Sequence, residues 1–281
     1  MKVIYTGIAE VTLNPEELAK FYESKLDIEQ LGINLHQNEY LIIKNENFEY
    51  IDKYRFDGEK LVKLHYRAID NVYINKLKPR NIKQECVFDL LQNDSIPVKL
   101  ITGAMGSGKT WLSLHHALDK LDRPKTEYKK IVYIRNNVEV KDSMPLGALP
   151  NGVKDKLLPF IMPLVDCIGH MTGLEMLEKQ EKIEYVHLGY IRGRNFSNSI
   201  VLVSESENLT KEHVKLLIGR IGENSIIIFE GDISQTDKKV FEGSNNGIFA
   251  LREVLAGNKL FGAVDLDKSE RSAVAELSNL F

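Results

Sequence analysis

Eight consecutive residues, Gly103-Ala104-Met105-Gly106-Ser107-Gly108-Lys109-Thr110, satisfy the pattern G-x-x-x-x-G-K-[ST] at every constrained position. Each residue type has a chemical reason to be there. The glycines let a loop wrap so that its N–H groups converge on phosphate oxygens, and the start of a helix adds the positive end of its dipole. Lys109 then supplies a point charge for the β- and γ-phosphates of ATP, and Thr110 a hydroxyl ligand for Mg²⁺. The context fits as well: the apolar run VKLIT (98–102) precedes the loop, and KTWLSLHHALDKL (109–121) reads as a helix. A glycine-rich turn before an unrelated helix is the competing reading, and the agreement of pattern and context disfavours it.

A nucleotide hydrolase also needs acidic groups at a strand end, to hold the metal and to activate water. The run IVLV (200–203) stops in Ser204, Glu205, Ser206 and Glu207. Glu205 has the position of the base. Ser204 stands where a metal-side aspartate is expected; its hydroxyl can accept a hydrogen bond from a metal-bound water but carries no charge, so weaker Mg²⁺ binding is the expectation. Thr110, Ser204 and Glu205 are therefore the expected metal-side residues. Glu207 reads as a solvated loop acid. Further on, IIIF (226–229) leads into Gly231, Asp232 and Gln235, where an amide can report on the γ-phosphate by donating one hydrogen bond and accepting another.

The elements that must position these residues are legible in outline. VKLIT (98–102), IVYI (131–134), IVLV (200–203) and IIIF (226–229) are apolar throughout or nearly so, as strands covered on both faces by helices should be. They predict an α/β domain with a mainly parallel sheet, and HLGYIRGRNFSNS (187–199) a loop near its edge. Upstream, Asn14-Pro15-Glu16-Glu17 is a helix start. EYLIIK (39–44) and the runs flanking Asp57-Gly58 predict strands with a hairpin turn. A small α+β module over residues 1–75 and the α/β domain over 76–281 are expected, divided at the basic, aperiodic NKLKPRN (75–81).

Composition excludes little. Of 281 residues, 43% are hydrophobic and 27% charged, enough for a full core, and a formal net charge of −3 gives no global argument for nucleic-acid binding. Cys86 and Cys167 lie in apolar settings without metal-ligand spacing and read as buried free thiols. The N-terminal apolar run is too short for a signal peptide, and no run approaches the roughly 18 apolar residues of a membrane span. A cytoplasmic protein without a membrane partner is expected.

With these residues in hand, the chain resembles the PhoH family of RecA-like ATPases, which is similar to superfamily 1 helicases. From about residue 30 onward the matching blocks run in order, among them KPRNIKQECVFDLL, GAMGSGKTWLSL, YIRGRNFSNSIVLVSESENLT, IIIFEGDISQTD and DKSERSAV. The upstream module resembles the linker domain of longer PhoH proteins that carry an N-terminal PIN nuclease, which is expected to be absent here. The resemblance implies that Gln84 reads adenine, with Arg80 and Asn81 beside it; a solvent-facing helix residue is the alternative. It gives nucleotide contacts to residues 103–110 and Asp232, and catalytic roles to Lys109, Glu205 and Gln235. Arg192, Arg194, Arg220 and Arg271 match family arginines able to reach phosphate in their own subunit or across an interface, Arg271 being favoured because it follows the last core strand. Where the family usually has Asp-Glu-Ala-Gln-Asn, this chain has Ser204-Glu205-Ser206-Glu207-Asn208.

Superfamily 1 helicases hold ATP between two RecA-like cores, whereas roughly 185 residues, 97 to 281, accommodate one. A neighbouring copy is expected to complete the site in a homo-oligomeric ring, a hexamer being one closed form. The leading expectation is an ATP-hydrolysing motor on RNA or single-stranded DNA, with Lys76, Lys78, Arg80, Lys125, Lys129 and Lys130 as candidate contacts. The alternative is a nucleotide-dependent binding or scaffold module with weak or no turnover, which Ser204 makes credible. A small-molecule kinase would need an acceptor pocket that the sequence does not identify.

Overall fold

The computed structural model describes residues 5–23, 30, 32–136, 153–236, 238–268 and 270. The chain opens with β1 (Ile8–Thr12), α1 (Pro15–Tyr22), β2 (Tyr40–Lys44), β3 (Tyr50–Phe56) and β4 (Leu61–Lys63), and the four strands form one sheet in that order. The expected helix start is a full capping box: Asn14 Oδ1 accepts from the Glu17 N–H and the Glu17 carboxylate from the Asn14 N–H, each at 2.9 Å. Asp57 makes the β3–β4 turn by accepting from the N–H groups of Glu59 and Lys60. β1, which pairs parallel with β2, was not legible. Nor was the hairpin of β5 (Ile69–Asn71) and β6 (Ile74–Leu77), so the basic segment taken as aperiodic begins in a strand and ends at Asn81, the N-cap of the next helix.

The second part contains α2 (Ile82–Gln92), β7 (Val98–Gly103), α3 (Lys109–Leu121), β8 (Lys130–Arg135), α4 (Val153–Ile168), α5 (Met171–Lys179), β9 (Ile183–His187), β10 (Ser199–Ser204), α6 (Lys211–Ile218), β11 (Ile226–Gly231), α7 (Gly247–Leu255) and β12 (Phe261–Leu266). Its six strands pair in the order β12-β7-β11-β10-β8-β9, every pair parallel. The four apolar runs are β7, β8, β10 and β11. β12 and β9 extend the sheet at its two edges.

Alternation along the strands sorts side chains onto two faces. Ile101, Tyr133, Leu202 and Ile228 face one way and pack with residues of α2, α3, α4 and α5. Leu100, Val132, Val203 and Phe229 face the other and pack with α6 and α7. Tyr40 and Ile42 of β2 join the first cluster, so the N-terminal sheet rests on α2, while Leu41 and Ile43 join its own smaller core with Leu13 and Tyr54. Asp89 of α2 fastens the two parts: it accepts from the Tyr40 hydroxyl at 2.9 Å, pairs with Arg55 and accepts the His65 N–H at 2.7 Å. Lys99, wholly buried on β7, donates to the carbonyls of Leu90 and Asn93 at 2.6 Å and ties down the end of α2. Cys86 is buried and Cys167 half-buried, both free. Among the described residues no single helix is long and apolar enough to cross a membrane.

Candidate functional site

Parallel strands end on one edge, and that edge is where open α/β sheets bind ligands. β7 ends at Gly103, whose φ of +146° is open to glycine; a Cβ there would stand 2.3 Å from the carbonyl oxygen of Leu266 on β12. Gly106 and Gly108 also take positive φ, 83° and 92°, and Gly108 is the residue from which α3 starts. The resulting loop is folded around its own lysine, with Lys109 Nζ donating to Gly103 O at 2.6 Å and Ala104 O at 3.0 Å. Ser107 is buried.

A cleft of about 690 Å³ opens beside this loop, within the size range of small-molecule sites. It brings together most of the residues expected from sequence: Gln84, Met105, Gly106, Gly108, Lys109, Thr110, Ser204, Glu205, Asp232 and Gln235 all line it. Gly103, Ala104 and Ser107 complete the loop behind them. Gln84 is only 4% exposed, which overturns the solvent-facing alternative. Its Oε1 accepts the Arg80 N–H at 2.9 Å and its Nε2 approaches Ser107 O at 3.4 Å, while Asn81 caps the helix beneath it and also donates to Glu270 at 2.7 Å. Trp111 stands at the cleft with its ring edge-on to His115, centroids 4.4 Å apart.

The strand end that carries Ser204 is bent at once by Glu205, a non-glycine residue with φ 52°. Its carboxylate pairs with Arg135 at the end of β8, and that guanidinium lies over the Phe160 ring. Glu207, expected to be a solvated acid, is buried; this is a correction. The tight turn after Glu205 folds inward and is pinned by Asn246, which donates to Glu207 O at 2.9 Å and Phe241 O at 2.7 Å. Glu207 Oε2 accepts the Asp232 N–H at 3.0 Å. Burial drives its carboxyl up to about 7, against the lowering effect of backbone N–H bonds and of Lys109; the Glu205 charge adds to the rise. Asp232 accepts from Ser234 N–H at 3.0 Å and Ser234 Oγ at 2.6 Å through one oxygen, and its other oxygen is buried without a partner.

Several residues of the cleft were missed, among them Trp111, Asp166, Glu270 and, most consequentially, Glu230. Glu230 of β11 is 2% exposed and accepts a hydrogen bond from Thr110 Oγ1 at 2.7 Å. Burial raises its pKa, with the hydroxyls of Thr110 and Ser113 and the charge of Lys109 opposing. It was hidden because it reads as the last residue of an apolar run, and which strand lies beside the loop is a matter of sheet order.

The family arginines are not brought together. Arg271 lies outside the described residues. Arg192, Arg194 and Arg220 do not line the cleft: Arg194 is held by Glu184 at 2.6 Å near the start of β9, and Arg220 follows α6 at the edge where strands begin. The expectation that these could reach phosphate within their own subunit is therefore corrected. Lys125, Lys129 and Lys130 lie at that same far edge, Lys130 paired with Glu184; Lys76, Lys78 and Arg80 are exposed, and Arg80 lines the cleft.

The six-stranded parallel sheet and the loop between β7 and α3 define a RecA-like P-loop fold, of the type found in nucleotide-binding ATPases. The chain belongs to the PhoH family: the model described as PhoH-like protein matches residues 76–277. Among curated relatives, protein PhoH2 of Bacillus subtilis (strain 168) is 28% identical over 289 residues, covering 98% of this chain and 64% of the relative. Protein PhoH2 of Thermobispora bispora is 31% identical over 204 residues, 72% of this chain and 46% of the relative. Protein PhoH of Escherichia coli (strain K12) is 29% identical over 182 residues, 62% and 50%. The chain thus spans about half to two thirds of the length of these relatives.

Proposed function

We propose that this protein is a Mg²⁺-dependent ATPase whose 76–281 part, preceded by the small module 1–75, works as an oligomeric, helicase-like motor on RNA or single-stranded DNA in the cytoplasm. The observation that carries the reading is the convergence in one cleft of a complete phosphate loop with Glu205, Glu207, Glu230, Asp232 and Gln235. The loop N–H groups and the α3 terminus bind the phosphates, and Lys109 exchanges its two carbonyl partners for phosphate oxygens. Gln84, seated against the loop, reads the base. Glu205 takes the proton of the attacking water, with Arg135 orienting it, and Gln235 senses the γ-phosphate. The donor set fits a magnesium ion: Thr110 offers a hydroxyl, and Glu230 and Asp232 each keep a buried oxygen without a partner. When bound, Mg²⁺ neutralises charge on the β- and γ-phosphates.

The proposal includes completion of the site by a second copy, with Arg271 as the residue that reaches across; the described residues hold one RecA-like core, which supports this reading. Sedimentation with ATP and Mg²⁺ tests it; a monomer at all concentrations rejects the ring. Steady-state ATPase assays with a panel of RNA and single-stranded DNA test the activity. Stimulation by nucleic acid that disappears in Lys109→Ala and Glu205→Gln supports the motor. Binding without turnover supports the second reading, a nucleotide-dependent scaffold, which the uncharged Ser204 and the occupation of Glu205 by Arg135 favour.

A further inference from the structure

Ser204 leaves the end of β10 without a negative charge, and the strand beside it carries an acid near its end, Glu230. β11 lies between β7, which carries the phosphate loop, and β10. The parallel register pairs Val203 with Phe229 and Glu230 with Ile101. Ser204 and Glu230 are each one residue past the Val203–Phe229 pair, so they stand side by side and face the same side of the sheet. An acid at 230 is displaced from 204 by one strand spacing, about 4.8 Å, toward the phosphate loop, and glutamate has one more methylene than aspartate.

We propose that Glu230 is the metal-side carboxylate of this cleft, taking over the place of the residue at 204; this rests on the ATP-binding reading above. Of the carboxylates that line the cleft, Glu230 is the one that accepts from Thr110, the hydroxyl that the loop provides for the cation. Its second oxygen is buried and makes no well-formed hydrogen bond, the Ser113 hydroxyl being the polar group nearby that weakly favours its charge. A wholly buried carboxylate with an unused oxygen is costly to keep, and a divalent cation is the ligand that both the charge and the free oxygen suit. Glu205 is committed to Arg135, Glu207 to the Asp232 N–H and Glu270 to Asn81; Asp232 keeps a buried oxygen of its own and Asp166 lines the cleft on α4, but neither accepts from Thr110. Among the described residues no group of three or more His, Cys, Asp or Glu side chains is arranged to hold a metal. That accords with Mg²⁺, which is commonly bound through one or two carboxylates plus substrate phosphates and water.

The test is calorimetric titration of the full chain with a non-hydrolysable ATP analogue, in EDTA and in excess Mg²⁺. The wild-type protein should bind more tightly with Mg²⁺. Glu230→Gln should keep its affinity in EDTA within about twofold and lose about 10- to 100-fold of the Mg²⁺-dependent gain. Ser204→Asp combined with Glu230→Gln should recover most of that gain. Ser204→Asp alone, which keeps Glu230 in place, should leave the Mg²⁺ dependence unchanged. Wild-type Mg²⁺ dependence in Glu230→Gln, or a loss of affinity equal with and without Mg²⁺, overturns the assignment. So does a tenfold tightening by Ser204→Asp alone, a result that stands even if Glu230→Gln does not fold. Failure of the wild-type protein to bind the analogue at all rejects the ATP reading instead.

Discussion

Replacing Glu207 by glutamine should stabilise the protein above neutral pH and leave it nearly unchanged at about pH 4. The carboxyl of Glu207 is buried and is raised from 4.5 to about 7, chiefly by desolvation. Below about pH 4.5 it is protonated whether the chain is folded or not, and it adds no pH dependence. Between 4.5 and about 7 the unfolded chain has lost a proton that the folded chain keeps, so stability falls as pH rises. Above 7 the penalty is complete. At about 1.4 kcal/mol for each pKa unit, it amounts to about 3 kcal/mol. Glutamine carries no charge, and its amide oxygen can accept the Asp232 N–H that Glu207 now accepts at 3.0 Å. It is also the residue that the family pattern places here. Urea unfolding at about pH 4, 5, 6, 7 and 8 and constant ionic strength should give nearly coincident stabilities at pH 4 and a gap of about 1 kcal/mol already at pH 5. By pH 8 the variant should lead by up to about 3 kcal/mol. A difference that does not vary with pH, or a variant that is weaker at pH 8, would refute the inward placement of this side chain.

Lys109→Ala should weaken binding of an ATP analogue by about 10- to 100-fold, the worth of a charged hydrogen bond, while leaving the circular dichroism spectrum unchanged. Gly103→Ala should cost several kcal/mol and lower the melting temperature sharply, because its methyl would meet the Leu266 carbonyl at 2.3 Å in a backbone conformation that L-residues avoid; an unaltered melt would mean that the loop and β12 are not so close. Asn246→Ala should lose about 2–4 kcal/mol in urea unfolding, combining a lost helix cap with two buried carbonyls left unpaired. Because Asn246 holds the turn that carries Glu205 and Glu207, the same substitution should reduce ATP turnover, measured below the unfolding transition.

Much of this was legible because β7, β8, β10 and β11 are covered on both faces and so read as unbroken apolar runs. β9 and β12 escaped for the opposite reason: an edge strand such as IEYVH exposes part of its surface, and FGAVDL holds a glycine and an aspartate that look like loop. The phosphate loop was fully readable, since its chemistry is local and consecutive. The acids around it were not, because their meaning depends on contacts between distant strands. Glu207 has the sequence of a strand exit, and only the inward turn secured by Asn246, 39 positions away, makes it a buried group. Glu230 is separated from Thr110 by 120 positions; no spacing rule joins them, whereas the order of strands in the sheet does.

Trp111 is the one tryptophan of the chain, and the fold has set it two residues beyond the loop's lysine, lining the cleft and 38% exposed. The imidazole against its edge is held down to about 4 by burial, so near neutral pH that neighbour is uncharged and does not change state as conditions vary. Any molecule that enters the cleft changes the water around a single indole. The protein therefore carries its own optical probe: selective excitation at 295 nm, about the red edge of indole absorption, reads one chromophore at the place where ligand arrives. Occupancy can be followed by intrinsic emission, in real time and without a label, on the unmodified chain.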